Sequence, residues 1–587
     1  MSPSNAAPTI RLFEFRTQRW LQFEKPLAVL EARSLAEVLP LLRQVEEQTA
    51  RRGRWAAGFI AYEAAPAFDP AFLTRPPDPA LPLLWFAIYE EPVAIPRSAL
   101  AARPAPPAAV AWRPTVEQAA HARAIRRIRD HIRAGDTYQV NYTLRLRAPF
   151  AGSAGELFAS LIDAQEPVYG AFLETADWAL CGASPELFLE WDNDALFTKP
   201  MKGTRPRGLW PAEDRRLAAE LAASGKDRAE HVMIVDMARN DLGRIARTGS
   251  VAVDEPFAVE PYPTVWQMTS RVGCATGAGL AEILGALFPA ASITGAPKAR
   301  TMALISELET TPRGAYTGAI GFAGPGRRAQ FNVAIRTARI DRAAQTAEYG
   351  TGGGIVWDST PEGEWEECRV KARILTRRLP PFSLLETLLW TPEEGYFLLE
   401  RHLARLRDSA SYFGFPFDAD AVRRRLQEGA SPLPPRPHRI RFVLPKDGPP
   451  QWAAALLTDL PAPFRLVLAP GAIDPASPFL YHKTTHRAFY EHARESRGKA
   501  DDVLLWNPRG EITEATFANV IYEMDGAWFT PPVPCGLLGG VYRAELLERG
   551  EVRERPLAIP ELPGCTRLRL VNSVRKAWDA ELLKEEP

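Results

Sequence analysis

The segment GTGGGIVWDSTPEGEWEECRVKA occupies residues 350–372. Its three glycines, Gly352, Gly353 and Gly354, let backbone amides approach a ligand closely, and the run reads as a glycine loop. Behind them Glu364 and Glu367 stand three apart in a helix-like stretch, so both carboxylates face one way. The same spacing recurs at Asp227 and Glu230, in DRAEHVMIVDMARNDLGRI (227–245). Two helices that each present an acidic pair suit Mg²⁺, which takes few carboxylates and fills its shell with water and substrate oxygens. Two solvated acidic helix faces would give the same spacing. KPMKGT (199–204) places Lys202 on a loop after a strand, and GASPELF (182–188) places Glu186 upstream. FNVAIRT offers Arg336, whose planar fork matches a carboxylate. An acid and an amine near a metal suit addition–elimination on a small polar molecule.

Working outward, 587 residues and 65.0 kDa are too much for one core, so two or more domains are expected. Lys+Arg and Asp+Glu are both 71, and zero net charge argues against a general nucleic-acid or membrane-surface role. A hydrophobic fraction of 46% excludes wholesale disorder. No apolar run approaches the roughly 18 residues of a spanning helix. The start, MSPSNAAPTIRLFEFR, lacks the basic-then-apolar pattern of a signal peptide. The five cysteines are far apart, which predicts neither a zinc ribbon nor a disulfide framework and fits a reducing cytoplasm. Only 11 of the 71 basic residues are lysine. Arginine cannot give up its proton, so chemistry that needs a free amine must keep lysine.

The 54 prolines mark boundaries. Residues 91–116 read as a Pro/Ala-rich linker, and RRLPPFS (377–383) as a second break. The expected domains are therefore 1–378 and 382–587. Ile125, Ile128 and Ile132 predict a helix that stops at Gly135, and a second runs over Arg401–Phe413 to Gly414. A helical pattern covers 34–52, and strands are expected at Tyr169–Glu174 and Leu187–Trp191.

Taken in order, GDTYQVNYT (135–143), GASPELF (182–188), KPMKGTRPRG (199–208), DRAEHVMIVDMARNDLGRI, SITGAPKARTM (292–302), FNVAIRTA (331–338) and the 350–372 segment closely resemble the chorismate-utilising enzyme family. The resemblance covers about residues 10–375. It implies an α/β (α+β) fold of large β-sheets with surrounding helices, and chorismate as substrate. Lys202 resembles the lysine of the aminodeoxychorismate synthase component I branch, where anthranilate synthases carry alanine. By that resemblance Lys202 attacks C2 and expels the C4 hydroxyl, with Glu186 as the acid. Ammonia then adds to give 4-amino-4-deoxychorismate. Gln139 stands where isochorismate and salicylate synthases use a lysine to activate water, and an amide is no base. Glu230 and Glu367 would touch Mg²⁺, with Asp227 and Glu364 nearer its waters. Thr294, Arg336, Lys371 and the Gly352–Gly354 amides would hold the substrate. Lys298 reads equally as structural or supporting. Gln267 replaces a histidine found in many relatives, and Thr269 and Ser270 offer hydrogen bonds nearby. LEARS (30–34) matches the tryptophan-binding region of related anthranilate synthases too loosely to predict regulation. No cysteine sits in a glutaminase elbow, Cys274 included, so a separate glutamine amidotransferase subunit or free ammonia is expected to supply nitrogen.

The tail carries a second set. A pyridoxal phosphate enzyme needs a lysine, an acid near the pyridine nitrogen and a phosphate site. Lys483, Glu514, Arg405 and the Gly539–Gly540 turn supply these types. His402–Leu406, Lys483 and Glu514 with Asn519 resemble the class IV aminotransferase family, fold type IV, over about residues 382–580. The resemblance makes Arg405, Gly540 and Val541 phosphate ligands and Lys483 the cofactor lysine. Tyr542 stands where relatives often have threonine. The opening hairpin of free-standing relatives is missing, a gap the first domain is expected to cover. The family holds branched-chain and D-amino-acid transaminases and aminodeoxychorismate lyase. Fusion favours the lyase, giving 4-aminobenzoate synthesis toward folate. The alternative is an anthranilate synthase-like domain joined to a transaminase. Fold type IV also makes a homodimer possible.

Overall fold

A computed structural model describes residues 7–97, 110–165, 169–377 and 380–583. It divides into two units, Met1–Pro206 with Ala218–Leu379, and Arg207–Leu217 with Pro380–Pro587. The second unit thus includes a stretch from within the first half of the sequence, so one cut near residue 380 does not separate the two.

Unit 1 is built on two ten-stranded sheets, and every described pairing in it is antiparallel. Alternating strands such as Thr9–Glu14 and Trp55–Ile60 bury one face between the sheets. Ile10, Phe59, Trp85, Leu173, Trp178 and Ile320 fill that space. Helices cover the outer faces. Leu35–Glu46 and Leu280–Leu287 pack on one sheet through Val38, Leu42 and Ile283. Ala154–Gln165 packs on the other through Leu157 and Leu161.

Three sequence expectations change. The three glycines form no loop. They lie in the strand Thr346–Ile355, where Gly352, Gly353 and Gly354 pair with Thr143, Tyr142 and Asn141 of Gln139–Pro149. Tyr349, Thr351 and Ile355 carry the β-propensity that glycine lacks. Lys202 also lies in a strand, Met201–Pro206, and not a loop. Its ladder with Val265–Ala275 shifts register between Met201 and Thr204, which leaves Lys202 and Gly203 in a bulge that re-aims the side chain. The ends of the 91–116 segment are sheet edges. Val93–Pro96 pairs with Arg19–Phe23, and Arg113–Pro114 with Leu146 and Arg147. Proline is tolerated there because an edge strand needs fewer ladder bonds. Residues 98–109 of that segment lie outside the described residues. The helix expected at 34–52 is α-helical over Leu35–Glu46 and widens to a π-turn over Glu47–Arg51.

Unit 2 has a four-stranded sheet, containing Leu384–Thr391 and His438–Leu444, and a larger eight-stranded sheet. The pairing Glu514↔Asn519 joins the strands Ile512–Ala515 and Asn519–Met524 and closes six strands of the larger sheet into a barrel. Leu399–Phe413 ends at Gly414, whose φ of 68 is the left-handed cap glycine allows.

Candidate functional site

In unit 1 the Gly-rich strand, the Lys202 bulge and two helices converge. The acidic helices are Gly225–Gly243 and Pro361–Ala372. A Cβ at Gly354 would stand 2.5 Å from Lys202 Nζ and 2.7 Å from Gln139 Nε2. A Cβ at Gly353 would stand 2.8 Å from Glu364 Oε2 and 3.3 Å from Glu367 Oε1. The ends of these side chains occupy the space a Cβ would take, so a larger residue at either position would push the site groups aside. Lys202 Nζ lies 3.7 Å from Glu230 Oε2. Asp227 is held at 2.8 Å by Arg205. Lys371 Nζ donates to Gly352 O at 2.8 Å and pairs with Glu367 at 2.7 Å. That charge is the main reason Glu367 sits below the usual carboxylate range. Arg336, at a left-handed φ of 52, points a guanidinium N–H at Lys371 O (3.2 Å).

Glu186 sits in the turn between Trp178–Ser184 and Leu187–Asp192 and is 4% exposed. Burial pushes its carboxyl up to about 7, against the opposing hydrogen bond from Ser292 and the charges of Lys371 and Lys202. Ser292 Oγ donates to Glu186 Oε1 at 2.5 Å. A carboxyl held near neutrality can give up a proton at physiological pH.

Among the described residues no three His, Cys, Asp or Glu side chains already stand in ligating position. Glu364 Oε2 is nevertheless buried without a hydrogen-bond partner, and burial, together with Glu367, raises the pKa of Glu364. A divalent ion would satisfy that oxygen and offset the like charges, so the donor set fits Mg²⁺.

In unit 2 a cavity of about 500 Å³ has Lys483, Arg405, Glu514, Asn519, Gly540 and Val541 on its wall. Burial lowers the Lys483 amine to about 7, with Arg405 and Arg487 adding to the effect. Burial raises Glu514 to about 7. Glu514 accepts from Tyr490 Oη (2.6 Å), Asn519 Nδ2 (3.1 Å) and Leu538 N (3.2 Å). Arg405 grips Glu386 at 2.9 and 2.6 Å, and Glu386 also holds His402 at 2.7 Å. Gly540 caps the helix Val541–Glu548, and the first amides of a helix have no intrahelical partner and suit an anion. A Cβ at Gly540 would lie 1.9 Å from Asn519 Oδ1, so a larger residue would displace the Asn519 amide. A buried low-pKa amine, a buried acid and an anion-binding helix start fit pyridoxal phosphate.

The model of the chorismate binding enzyme family matches residues 9–377. The chain belongs to the chorismate binding enzymes. A second model, amino-transferase class IV, matches residues 383–582, so this chorismate binding enzyme also carries a class IV aminotransferase domain. It is 44% identical over 253 residues to anthranilate synthase component 1 1 of Haloarcula marismortui, covering 43% of this chain and 51% of that protein. It is 42% identical over 258 residues to aminodeoxychorismate synthase component 1 of Bacillus subtilis, covering 44% of this chain and 54% of that one. The chain spans about half the length of these curated relatives. Anthranilate synthase component I from Streptococcus pneumoniae TIGR4 superposes with a TM-score of 0.53 at 26% identity, covering 64% of this chain and 94% of that chain. Among the described residues no helix is long and apolar enough to cross a membrane.

Within this chorismate binding enzyme, some candidate residues are occupied elsewhere. The Thr294 hydroxyl is directed at the carbonyls of Ala290 and Ala291, while its own carbonyl accepts from Asn141 N. Lys298 forms a buried pair with Asp241 at 2.7 Å, a bracing contact between the helices Lys298–Leu308 and Gly225–Gly243. Ser270 Oγ lies 2.7 Å from His231 Nε2, and the Thr269 hydroxyl is buried without a partner. Tyr542 packs toward Phe397 and is not part of the cavity wall.

Other residues escaped the sequence reading. Arg145, Glu309 and Arg313 are 1, 3 and 2% exposed. Glu309 accepts from Thr143 N and Oγ1 and from Arg313, which in turn donates to Asn141 O and Ile293 O. They pin the Gln139 strand to the SITGAP turn beneath the site. Nothing in the local pattern of ELETTPRG signals this, because the partners are far apart in sequence. The Arg207–Leu217 stretch was also missed. Trp210 packs on Tyr481 at 5.2 Å and Arg207 lies over Tyr412 at 4.6 Å, beside His482 and hence Lys483.

Proposed function

We propose that unit 1 aminates chorismate to 4-amino-4-deoxychorismate and that unit 2 eliminates pyruvate from that product, leaving 4-aminobenzoate. The observation that carries the reading is the Lys202 amine at the Gly354 gap, beside Glu230 and Gln139, with a near-neutral buried acid at Glu186. Lys202 nitrogen bonds to C2, both ring double bonds shift, and the C4 hydroxyl leaves as water with the proton of Glu186. Ammonia then bonds at C4 as the C2–Lys202 bond breaks, which restores both ring double bonds and the lysine amine, and the new ammonium returns a proton to Glu186. An amine suits this because it can both add and leave. Gln139 cannot deprotonate water, so hydrolytic attack is disfavoured. Arg336 and Lys371 orient the substrate carboxylates. Glu230, Glu367, Asp227 and Glu364 would hold Mg²⁺, which would neutralise the ring carboxylate. A separate glutamine amidotransferase is the expected ammonia source.

Pyridoxal phosphate, held by Lys483, Arg405, Glu514, Asn519 and the Gly540–Val541 amides, would supply an electron sink in unit 2. Lys483, largely neutral above about pH 7, takes the proton from the amine-bearing carbon. Loss of the neighbouring enolpyruvyl ether then makes the ring aromatic. Glu514 would supply the acid that hydrogen-bonds the pyridine nitrogen.

The test uses the purified chain with chorismate, Mg²⁺, ammonium and pyridoxal phosphate, with products separated by chromatography. The expected products are 4-aminobenzoate and pyruvate. Aminodeoxychorismate alone would leave unit 2 a transaminase or a domain that needs a partner. Anthranilate would overturn the role given to Lys202 and favour an anthranilate synthase joined to a transaminase.

A further inference from the structure

Six arginines line the cavity in front of Lys483: Arg405, Arg439, Arg441, Arg487, Arg494 and Arg575. Among the described residues Glu514 is the only acid on that wall, and its oxygens are already engaged. Arg405 is matched by Glu386. Arg487 donates to Thr516 O and lies over the Tyr490 ring at 4.5 Å. Arg494 lies 5.9 Å over Phe517. The other three differ.

Arg439 and Arg441 alternate along the strand His438–Leu444. Their pairings, Leu389↔Arg439 and Thr387↔Arg441, put them on the sheet face that carries the cavity residues Leu385 and Thr387. Among the described residues neither side chain makes a hydrogen bond or ion pair. Arg575 sits in the turn between Arg567–Asn572 and Lys576–Leu582, half-buried, with one N–H donated to Thr458 O at 2.6 Å. Burial lowers its pKa, and the neighbouring Arg439 charge lowers it further, only partly offset by Asp459. Arg439 and Arg441 are exposed and share this wall with the half-buried Arg575, and among the described residues no carboxylate stands within ion-pair distance of the three. An anion seated among them would relieve their mutual repulsion. The chain is rich in arginine, so arginine itself is no signal; the convergence of three on one wall is.

A cofactor phosphate on Arg405 and the Gly540–Val541 amides would leave this second cluster unused. We propose that Arg439, Arg441 and Arg575 form an anion subsite of the unit 2 cavity that seats a substrate carboxylate remote from the reacting amine. The inference rests on the lyase reading of unit 2 and deepens it. It assigns the substrate class as a cyclic amine bearing carboxylates away from the amine-bearing carbon, and it excludes apolar amino acids, which would leave these guanidiniums unmatched.

The test uses the full chain loaded with pyridoxal phosphate. Calorimetric titration compares isophthalate, with two carboxylates, and benzoate, with one. The native chain is expected to bind isophthalate at least about ten-fold tighter, as charge-assisted bonds imply. R439Q/R575Q should remove that preference while cofactor absorbance and thermal midpoint stay unchanged, and R439K/R575K should restore part of it. In turnover the glutamine variant should raise KM for aminodeoxychorismate about ten-fold or more with little change in kcat. An unchanged isophthalate preference, or an unchanged KM, overturns the subsite. If the preference is lost in the variant but the native chain releases no pyruvate, the subsite stands and the lyase reading falls.

Discussion

On the proposed reading, Lys202 and Glu186 would divide the work of unit 1 between a nucleophile and an acid. Replacing Lys202 with alanine removes the nitrogen, and K202R supplies one that never loses its proton. Both variants should abolish aminodeoxychorismate formation while leaving chorismate binding in place. Chromatographic assay and ligand titration check this, and retained amination in K202R would refute the nucleophile. Glu186 sets a pH limit. Its protonated fraction falls as pH rises through about 7, so amination should decline above that pH. E186Q should lose activity together with the alkaline limb of the rate profile. The same shift acts on stability. The folded-state pKa of about 7 lies above the ordinary 4.5, so the fold retains a proton that the unfolded chain has already lost. The resulting stabilisation is complete at low pH and is lost as pH rises from 4.5 through about 7. Both acidic pairs and the lysines were legible in the sequence because their spacing and residue types are local. The gap that lets them meet was not: it depends on how far each neighbour reaches toward Gly353 and Gly354.

At the scale of elements, the Gly-rich strand is held in place by a buried network of Arg145, Glu309 and Arg313. Arg313 bonds to Asn141 O, and Glu309 bonds to Thr143 N and Oγ1, so the strand that pairs with the glycines is tied to the SITGAP turn. E309Q would leave two buried guanidiniums short of a counter-charge. Breaking a buried pair this way costs about 3–5 kcal/mol. Chemical denaturation should show unit 1 losing that much stability, with amination falling in step. The helices Gln118–Arg133 and Leu399–Phe413 were readable from isoleucine and leucine periodicity and their terminal glycines. The glycine run and the Lys202 segment read as loops because glycine and proline dominate local propensity. Pairing along a ten-residue ladder, Thr346↔Pro149 to Ile355↔Val140, overrides that propensity.

Across the whole molecule, the second unit borrows Arg207–Leu217 from the first half of the chain. Leu209 and Trp210 join the cluster around Tyr481, Tyr490 and Leu505, next to His482, which burial holds at about 3. Trp210→Ala removes a half-buried ring from that cluster and should destabilise unit 2 by about 1–3 kcal/mol. Differential scanning calorimetry should show the transition that depends on pyridoxal phosphate moving down, with weaker cofactor retention, and an unchanged transition would make the stretch a passive linker.

The sequence by itself determined the family, the two-part organisation, the acidic pairs, both lysines and the residue types a cofactor needs. Each is carried by short motifs whose spacing survives without knowledge of the fold. Tertiary structure alone decided three things: that the glycines are sheet, that a buried ion network props the site, and that three arginines converge on one wall. Those features arise from contacts between residues far apart in the chain, and local pattern does not encode which distant side chain will fill a given space.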